Sequence, residues 1–395
     1  MNQPYMYKAE ELFELLSNKP DFVLLDVRNE KDFQNFYIEA PSIFPYINVP
    51  YYEFTEDNVA ESAAKVPSNN KIRIVCAKEG SAKYVAEQLC EQGFTDVGYL
   101  QGGIVAWGNV LIPRKISGNA SRYKLYQCIR PGKGSCSYVA VSGEEMMVFD
   151  PSRNVAFYKD FAEKKNCRIT RIFETHRQAD YISGSIQLSA ETGATIFANA
   201  VDFDKAHFDY EAVEDMAFYN FSSGTTVQAA HTPGHTMGST SYLLDNKYLL
   251  TGDTLFIGSS GRPDLGGKSE KWSRFLYLTL TLKLRDFDDK TLICPGHYSS
   301  WLESNENQVF IDTLGNLRKN NIAFKSPTEF HFGEFIKENL RPQPGVYDKI
   351  RRINGGWRKI SDEDANIMDL GKNECAASNY GQKGVSAEVL RSQQE

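Results

Sequence analysis

The sequence lacks long hydrophobic runs, an excess of basic residues and closely paired cysteines. No apolar segment approaches the roughly 18 to 20 residues that span a bilayer, so we expect no membrane span. The first residues, MNQPYMYKAEELFELL, contain no basic stretch followed by an apolar one, which predicts a cytoplasmic protein without a secretory signal. The net charge is −7, and lysines are scattered among acidic residues, so a nucleic-acid partner is not expected.

The seven cysteines are odd in number and include no C-x-x-C pair. Neither a disulfide framework nor a zinc ribbon fits that spacing, and at least one thiol is free to react. A hydrophobic share of 41% and a charged share of 24% are ordinary for a soluble protein. A chain of 395 residues is long enough for two or three domains, each with its own core.

Two regions of different pattern follow each other along the chain. Residues 1–112 alternate short apolar runs such as FVLLDV, IRIVCA and VGYL with helical patterns, which predicts a small parallel α/β domain. Residues 113–122, PRKISGNASR, interrupt the periodicity and are predicted to be a linker. Residues 123–375 contain many strand-like segments and form the predicted second domain, and residues 376–395 are predicted to be a polar tail.

The segment IRIVCAKEGSAKYVAEQL places Cys76 after an apolar strand and just before a helix, in a tight loop with Gly80. Backbone N–H groups and the positive end of a helix dipole favour a thiolate or an anionic persulfide at such a position. The sequence therefore predicts a nucleophilic cysteine. A buried core cysteine is the alternative interpretation.

Three motifs make residues 7–110 resemble the rhodanese family: LLDVRNEKDF with Arg28, the loop CAKEGSA, and GGIVAW with Trp107. The resemblance implies that Cys76 carries sulfane sulfur as a persulfide. Rhodanese-like folds also include cysteine phosphatases, which need an arginine to hold phosphate where this chain has Ala82. Phosphatase chemistry is therefore disfavoured.

The substrate side of this loop departs from the rhodanese pattern. Many rhodaneses carry an arginine where this chain has Ser81, so we expect the substrate oxyanion to rely on Lys78 and on backbone amides of the loop. Lys78, Gly80 and Ser81 are accordingly the predicted substrate-binding residues of the first domain.

In the second region, the segments ETH, TPGH and TGD each end an apolar strand pattern and supply His176, His235 and Asp253. Functional groups of α/β folds gather at the carboxyl ends of strands. Two histidines and one carboxylate with open coordination positions suit non-haem iron(II) and oxygen chemistry. A lone histidine is usually structural, but three donors in this order form a much stronger pattern.

Seven segments of the second region resemble the metallo-β-lactamase fold of glyoxalase II-like proteins, most of all their persulfide dioxygenase branch. They are SYVAV, DPSRN, ETHRQADYISG, AHTPGHTMGSTSY, LLTGDTLF, GRPD and CPGHY. The resemblance implies an α/β N-terminal rhodanese domain followed by an α+β domain with αββα layers. It also implies one Fe(2+) per chain, held by His176, His235 and Asp253.

The stretch THRQADYISG departs from the H-x-H-x-D-H pattern of this superfamily, because Gln178 and Tyr181 stand where histidines are expected. The resemblance to the zinc hydrolases implies two metals, one using positions 176, 178, 235 and 253 and the other 180, 181, 297 and 253. Each substitution removes one ligand from one of these sites and leaves the iron set intact. Asp180 and His297 are then predicted to orient ligands or water around the metal.

Several other residues carry weaker predictions. Arg262, in GSSGRPD, is predicted to pair with a carboxylate or phosphate of the thiol substrate, with a solvated surface arginine as the alternative. Cys136, in GSCSYVAV, is predicted to lie in a loop before the first strand, as a sulfur relay or as a packed small hydrophobic residue. No role is assigned to Cys375, His207, His231 and His331.

The combined hypothesis is a sulfur-metabolism enzyme for sulfide detoxification. Its iron domain would oxidise a low-molecular-weight thiol persulfide with O2 to sulfite, and Cys76 would interconvert persulfide and thiosulfate. Two alternatives remain open at this point: a zinc thioester hydrolase of the glyoxalase II type, and a non-catalytic sulfur carrier or sensor. The sequence does not distinguish glutathione, coenzyme A, bacillithiol or cysteine as the thiol carrier, and a homo-oligomer is compatible with it.

Overall fold

The computed structural model describes residues 2–55, 57–119, 121–267, 269–340 and 342–377. Most of the predicted polar tail, from residue 378 onward, lies outside these ranges. The first two residues of that predicted tail do not behave as a tail, since Ala376 pairs with Gly261 in an isolated bridge and Ala377 is buried. No helix of the described residues is long and apolar enough to cross a membrane.

The N-terminal domain is a parallel sheet in the order β1-β5-β4-β2-β3, with helices on its faces. Its central strands are buried apolar runs, as parallel sheets covered on both faces require. The predicted parallel α/β domain is therefore confirmed. Its strands are β1 (Tyr5–Tyr7), β2 (Phe22–Asp26), β3 (Tyr46–Asn48), β4 (Lys71–Val75) and β5 (Val97–Leu100), and its helices are α1 (Ala9–Ser17), α2 (Glu30–Asn35), α3 (Val59–Ala64), α4 (Glu79–Glu91) and α5 (Gly103–Asn109).

The first strand of the second domain begins one residue before the predicted linker and runs into it. Strand β6 (Ile112–Lys115) pairs antiparallel with β7 (Lys124–Arg130) and forms the edge of the next sheet. The linker prediction is therefore wrong for residues 113–115. Proline and glycine in this stretch suggested a break. An edge strand nevertheless accepts a proline, because no strand pairs with its outer side and a missing N–H there breaks no hydrogen bond.

Two mixed sheets lie face to face in the second domain. The first has the order β12-β11-β10-β9-β8-β7-β6 and the second β13-β14-β15-β16-β17. The remaining strands are β8 (Ser135–Ser142), β9 (Glu145–Phe149), β10 (Arg168–Phe173), β11 (Thr195–Ala198), β12 (Glu211–Ala212), β13 (Val227–His231), β14 (Thr240–Leu244), β15 (Tyr248–Gly252), β16 (Leu292–Pro295) and β17 (Asp312–Thr313).

Helices cover the outer faces of both sheets, which confirms the predicted αββα layers. One outer core forms where α6 and α7 contact the first sheet, through residues such as Tyr158 and Leu188. The opposite outer core contains Leu276 of α9 and Phe332 of α11 against the second sheet. The helices are α6 (Val155–Lys164), α7 (Ser185–Thr192), α8 (Ala200–Phe203), α9 (Ser269–Leu278), α10 (Leu314–Asn320), α11 (Glu329–Asn339), α12 (Tyr347–Asn354) and α13 (Asp362–Met368).

A continuous apolar cluster joins the two domains. The ring of Phe13 in α1 lies 5.6 Å from that of Trp301 in the second domain and 6.4 Å from that of Trp107 in α5. Arg130, at the end of β7, donates its Nε–H to the carbonyl of Gly108 at 2.6 Å. Side chains of both domains are therefore shared in one core.

The C-terminal segment after α13 returns along this junction toward the second domain. Asp369 is buried and accepts a 2.9 Å hydrogen bond from Arg130. Further along, the amide of Asn373 donates to the carbonyls of Lys133, Gly134 and Tyr298. These buried contacts hold the segment against the end of the sandwich where β13, β15 and β16 all point.

Candidate metal centre

Three buried donors meet at the end of the sandwich. His176 follows β10, His235 follows β13, and Asp253 comes directly after β15. Asp253 Oδ2 lies 3.8 Å from His176 Nε2 and 3.5 Å from His235 Nε2. One ligand atom from each residue lies within 4.8 Å of the others, a group that could hold a metal ion. The strand-end pattern in the sequence thus corresponds to side chains that converge in space.

Hydrogen bonds on the outer side of the two histidine rings determine which nitrogen faces inward. His235 Nδ1 lies 2.9 Å from the carbonyl of Arg262, which can only accept, so Nδ1 carries the proton. His176 Nδ1 lies 2.9 Å from Thr175 Oγ1, whose single proton is donated to Asp150 Oδ2 at 2.9 Å. His176 Nδ1 is therefore also a donor, and both Nε2 atoms have a free lone pair, as metal-binding histidines require.

The inward-facing atoms fit a cation. His176 Nε2, His235 Nε2 and Asp253 Oδ2 are all buried, and none has a hydrogen-bond partner among the described residues. Burial lowers the pKa of His235 to about 4, which keeps this imidazole neutral and able to ligate at neutral pH. Buried polar atoms without partners are costly, and a bound metal ion would satisfy all three.

The second carboxylate oxygen of Asp253 belongs to a separate chain of contacts. His297 Nδ1 lies 2.7 Å from Asp253 Oδ1, and His297 Nε2 lies 2.9 Å from Asp180 Oδ2. Burial opposes protonation of His297, but Asp180 and Asp253 outweigh it and raise the pKa of His297 to about 10. His297 thus holds the carboxylate of Asp253 in place, and a role of His297 and Asp180 in orienting metal ligands stays a prediction.

Gln178 and Tyr181 both lie buried in this centre. Gln178 Nε2 is 3.5 Å from His176 Nδ1, and Gln178 Oε1 has no hydrogen-bond partner among the residues described. Tyr181 donates its hydroxyl to the carbonyl of Asp150 at 3.3 Å. Neither residue offers the imidazole nitrogen that its position has in the zinc hydrolases described above.

Close backbone approach is needed at Gly261. A methyl group there would lie 2.0 Å from the carbonyl oxygen of Asp253 and 2.7 Å from His235 Nδ1. Glycine therefore allows the loop carrying Arg262 to approach the ligand His235 closely enough to accept its Nδ1 proton.

Arg262 is buried and binds a carboxylate of its own chain. Its side chain is buried, and its guanidinium binds the carboxylate of Asp264 with contacts of 2.7 and 2.8 Å. The solvated alternative is therefore wrong. A contact with substrate stays a prediction, and the carbonyl of Arg262 is the group that contacts the metal centre, through His235.

Cys136 is the second position where the local prediction fails. It lies within strand β8, not in a preceding loop, and its N–H donates to the carbonyl of Gly296 at 2.7 Å. The thiol is buried in the core cluster, and burial raises its pKa well above the usual range. The sequence GSC resembles a turn, so the predicted loop included Cys136. In the structure, Cys136 already pairs with Ile129 of β7.

Cys76 lies directly after β4 in the N-terminal domain, as predicted. Its carbonyl accepts the N–H of Ile104 at 2.8 Å, so the GGIVAW segment closes against the cysteine loop. Gly103 has a φ of 61°, and a methyl group there would lie 2.6 Å from the Cys76 carbonyl. At Gly80, by contrast, a methyl group would meet no neighbour within 4 Å.

The electrostatic prediction for Cys76 is wrong in direction. Burial raises the pKa of the thiol, and this outweighs the backbone N–H groups of Ala77 and Lys78 and the hydroxyl of Ser81, which lower it. The amino group of Lys78 points into solvent and lies 3.9 Å from Glu363. The backbone N–H of Lys78 and the Ser81 side chain are therefore the groups directed at the sulfur.

Family models match both domains. The model described as "Rhodanese-like domain" matches residues 8–109, and the one described as "Metallo-beta-lactamase superfamily" matches residues 129–297. The chain therefore carries a rhodanese-like domain followed by a metallo-beta-lactamase superfamily domain. Both are domains of enzyme families, and the second belongs to a superfamily of metal-dependent proteins.

Curated relatives match one part of the chain or the other. A hydroxyacylglutathione hydrolase from Prochlorococcus marinus is 25% identical over 232 residues, which are 52% of this chain and 91% of that protein. An uncharacterized protein from Mycobacterium leprae is 48% identical over 77 residues, 19% of this chain and 34% of that protein. The chain thus spans about a third of the Mycobacterium leprae protein but nearly all of the Prochlorococcus marinus hydrolase.

Solved structures support the same fold. A metallo-beta-lactamase from Staphylococcus aureus has a TM-score of 0.55 at 24% identity and covers 61% of this chain and 75% of that one. ETHE1 from Myxococcus xanthus has a TM-score of 0.50 at 22% identity and covers 62% of this chain and 100% of that one. Identities this low show the fold alone.

Three positions beside the candidate site escaped the sequence analysis. Thr175 and Asp150 orient His176, and Cys375 contributes a thiol near Asp180 and His297. The Thr175 position could have been suspected because it directly precedes a ligand, at a strand end. No local signal in the sequence connects Asp150 or Cys375 to the ligands.

Proposed function

We propose that the second domain oxidises a low-molecular-weight thiol persulfide with O2, using one iron(II) held by His176, His235 and Asp253. The reaction is RSSH + O2 + H2O → RSH + SO3²⁻ + 2 H⁺. The observation that carries the proposal is the set of three buried, unpartnered donor atoms, two imidazole nitrogens and one carboxylate oxygen. That donor set is the facial triad of non-haem iron oxygenases, and it leaves coordination positions open.

When bound there, iron(II) would supply the electron transfer that lets O2 react with a sulfur atom beside it. The chain's own residues supply position. Thr175 and the Arg262 carbonyl fix the two imidazole rings, and His297 fixes the carboxylate of Asp253. Because these contacts are buried and exist without substrate, the donors need little rearrangement when the reactants bind.

Gln178 and Tyr181 support the oxygenase over a two-metal hydrolase. A second zinc would need an imidazole at position 181, where the phenol is tied to Asp150 instead. The first zinc would lose the imidazole at position 178, where an amide lies beside His176. Both changes weaken a zinc-hydroxide centre, while neither touches the three iron donors.

For the rhodanese-like domain, we infer that Cys76 carries the transferred sulfur. Its persulfide would give thiosulfate by Cys76–SSH + SO3²⁻ → Cys76–SH + S2O3²⁻, consuming the sulfite made in the second domain. The backbone N–H groups and the Ser81 hydroxyl that face the thiol would stabilise the anion developing on the sulfur. The two domains then catalyse consecutive steps on sulfane sulfur.

A second candidate is zinc-dependent thioester hydrolysis, favoured by the similarity to hydroxyacylglutathione hydrolases over 91% of the Prochlorococcus marinus protein. A third is a sulfur carrier whose metal domain only binds. Metal analysis of protein from cells grown with iron and without added zinc separates them. About one iron per chain supports the oxygenase, two zinc ions support the hydrolase, and no metal supports the carrier.

The decisive activity test is oxygen uptake with the persulfides of glutathione, coenzyme A, bacillithiol and cysteine. His235→Ala should lose bound iron and oxygen uptake together, because two remaining ligands hold a labile divalent ion poorly. Cys90→Ser changes a half-buried residue of α4 in the other domain; it serves as a control and should keep both. Full iron content and activity in His235→Ala would mean that the ligand assignment is wrong.

A further inference from the structure

Three cations and one carboxylate are packed together where the two domains meet. Arg130, at the end of β7, Lys133, in the turn that follows, and Asp369, directly after α13, are all buried, while Arg153, in the loop before α6, is half-buried. These four side chains are called the junction cluster below. The cluster is separate from the three donors of the metal centre and from the Cys76 loop.

Asp369 is shared by all three cations of the cluster. Its Oδ2 lies 2.9 Å from Arg130 Nη2 and 3.5 Å from Arg153 Nε, and its Oδ1 lies 3.8 Å from Lys133 Nζ. A second carboxylate, that of Asp362, lies 3.8 Å from Arg153 Nη1, but its side chain is fully exposed and solvent screens its charge. One buried carboxylate therefore faces three positive charges.

The lysine of the cluster gains little negative charge from its other neighbours. Lys133 Nζ donates a 3.0 Å hydrogen bond to the carbonyl of Asp180, which is a neutral acceptor. The carboxylate of Asp180 is paired with His297 at 2.9 Å. Lys133 thus depends on Asp369, which it shares with two arginines.

The two arginines also reach neutral acceptors apart from their carboxylates. Arg130 donates to the carbonyl of Gly108 at 2.6 Å and to the side-chain oxygen of Asn109 at 3.2 Å, and Arg153 donates to the side-chain oxygen of Asn366. Burial lowers the pKa of Arg153, and the nearby charge of Arg130 lowers it further, against the opposing effect of Asp369. The cluster therefore holds more positive charge than its own carboxylate balances.

Unpartnered nitrogen atoms point to a missing acceptor in the cluster. Arg130 Nη1 and Arg153 Nε are buried and have no hydrogen-bond partner among the described residues, and Arg130 as a whole is only 2% exposed. Asp369 Oδ1 also lacks a hydrogen-bond donor there. A water molecule could satisfy these atoms, but it would leave the excess charge in place. Buried cations are rarely left unpaired, and an oxyanion would supply both acceptor atoms and negative charge.

The junction cluster lies between the two candidate sites. On one side, its lysine donates to the carbonyl of Asp180, in the loop that also carries the first ligand histidine. On the other side are Asp362 and Glu363, which are consecutive residues. Asp362 contacts the arginine of the cluster before α6, and Glu363 lies 3.9 Å from Lys78 in the loop that follows Cys76. A small anion held by the cluster would thus be close to both loops.

We propose that the junction cluster binds one small divalent oxyanion, and that this anion during turnover is the sulfite made in the second domain and consumed at Cys76. Three cations and one carboxylate leave a charge of +2, which a divalent anion neutralises. Guanidinium groups present N–H pairs that match an oxyanion, and the ammonium adds a point charge. The choice of sulfite rests on the proposed function, whereas the site rests on the contacts of the cluster.

The test is calorimetric titration of the full-length protein with sulfate, an unreactive divalent oxyanion, at an ionic strength kept constant with NaCl. The parent should bind one equivalent with a saturable signal. Arg153→Gln should weaken binding about 10- to 100-fold, because a charge-assisted hydrogen bond is lost. Arg114→Gln is the matched control and should bind as the parent does, since Arg114 is also half-buried between the domains but pairs with Glu14 of α1.

Two variants test the sign of the electrostatic argument. Asp369→Asn and Asp362→Asn each remove a negative charge that competes with the anion, so both should bind sulfate more tightly than the parent. For Asp362→Asn we expect about a two- to fivefold gain, because the carboxylate is exposed. Sulfate should also raise the unfolding temperature of Asp369→Asn more than that of the parent. Weaker sulfate binding in Asp362→Asn, which changes no buried group, would contradict the proposal even if Asp369→Asn did not fold.

Competition identifies the class of oxyanion. Sulfite and thiosulfate should each displace sulfate from Cys76→Ser, which cannot exchange sulfur, while chloride at the same ionic strength should not. Displacement by phosphate but by neither sulfur oxyanion would overturn the assignment to sulfite. The competition uses no oxygen and no persulfide, so it does not depend on turnover.

Two further results would overturn the site itself. One is a parent protein without saturable sulfate binding. The other is unchanged binding in Arg153→Gln together with loss of binding in Ser81→Ala, which would place the anion in the Cys76 loop. Absence of oxygen uptake would contradict the oxygenase but would leave the sulfate measurements unaffected, so the two proposals fail separately.

Discussion

The hydroxyl of Thr175 offers the sharpest test of how the metal centre is built. It accepts the Nδ1 proton of His176 at 2.9 Å and donates to Asp150 Oδ2 at 2.9 Å. Thr175→Val keeps the shape of the side chain and the backbone bond from its N–H to Asp150 Oδ1, but removes both hydroxyl contacts. His176 would then lose the contact that selects its tautomer.

The expected loss can be estimated from these two bonds. Removing the partner of a metal-ligating histidine weakens metal binding about 10- to 100-fold, which corresponds to about 1.4 to 2.8 kcal/mol. Leaving a buried N–H without a partner costs about 1 to 3 kcal/mol, which is the same range. We therefore expect the dissociation constant for Fe2+ to rise by one to two orders of magnitude, with the three ligands still present.

The assay is anaerobic competition for Fe2+ against a chromophoric chelator. Thr170→Val is the matched control, because Thr170 lies in β10, the strand that precedes Thr175, and its hydroxyl donates to the carbonyl of Met146 at 3.4 Å. The control should bind Fe2+ as the parent does. Parent-like affinity in a folded Thr175→Val protein would show that the hydroxyl does not hold His176 for metal binding.

Four further predictions concern other parts of the two sites. The double variant Gln178→His, Tyr181→His should retain more zinc and oxidise less persulfide, as measured by metal analysis and oxygen uptake, because imidazoles restore hydrolase ligands. Cys76→Ser should leave oxygen uptake nearly unchanged but shift the product from thiosulfate to sulfite, which product chromatography would detect. Because burial raises the pKa of the Cys76 thiol, its alkylation rate should keep rising between about pH 7 and pH 9, with no plateau near neutrality. Gly261→Ala should weaken Fe2+ binding, since the added methyl group would collide with the Asp253 carbonyl and the His235 ring.

Much of the fold and the ligand set was predictable because the relevant signals are local. Apolar runs with helical segments between them indicate strands and helices, and ligands at the ends of such runs must meet at one edge of the sheets. His176, His235 and Asp253 satisfy that rule, and the structure brings their ligand atoms together. The chemistry assigned to them stays a prediction until metal and product are measured.

Properties that depend on burial were not predictable in the same way. For Cys76, the loop and the helix start are visible in the sequence and both favour a thiolate, yet the depth of the thiol decides the direction of the pKa shift. Arg262 is similar, because its partner Asp264 is only two residues away, while its burial depends on packing around it. Local sequence gives the neighbours of a charge but not its solvent exposure.

Cys375 shows the same limit for contacts distant in sequence. Its segment, GKNECAAS, has no motif of its own, and its neighbours Asp180 and His297 come from loops on two different sheets. The anchoring of Asn373, the bond from the Arg262 N–H to the Cys375 carbonyl and the pairing of Ala376 bring the thiol to them. Such a contact depends on the path of the chain around the whole second domain.

Tyr181 helps to hold the residues that orient His176. Asp150 adopts a left-handed backbone conformation, with φ of 51°, and presents its carboxylate to Thr175 and its carbonyl to Tyr181. The phenol of Tyr181 therefore helps to hold Asp150, which in turn accepts the hydroxyl proton of Thr175 beside His176. An imidazole at position 181 is shorter and would give up this contact. Through Asp150 and Thr175, Tyr181 thus supports the orientation of one of the three proposed ligands.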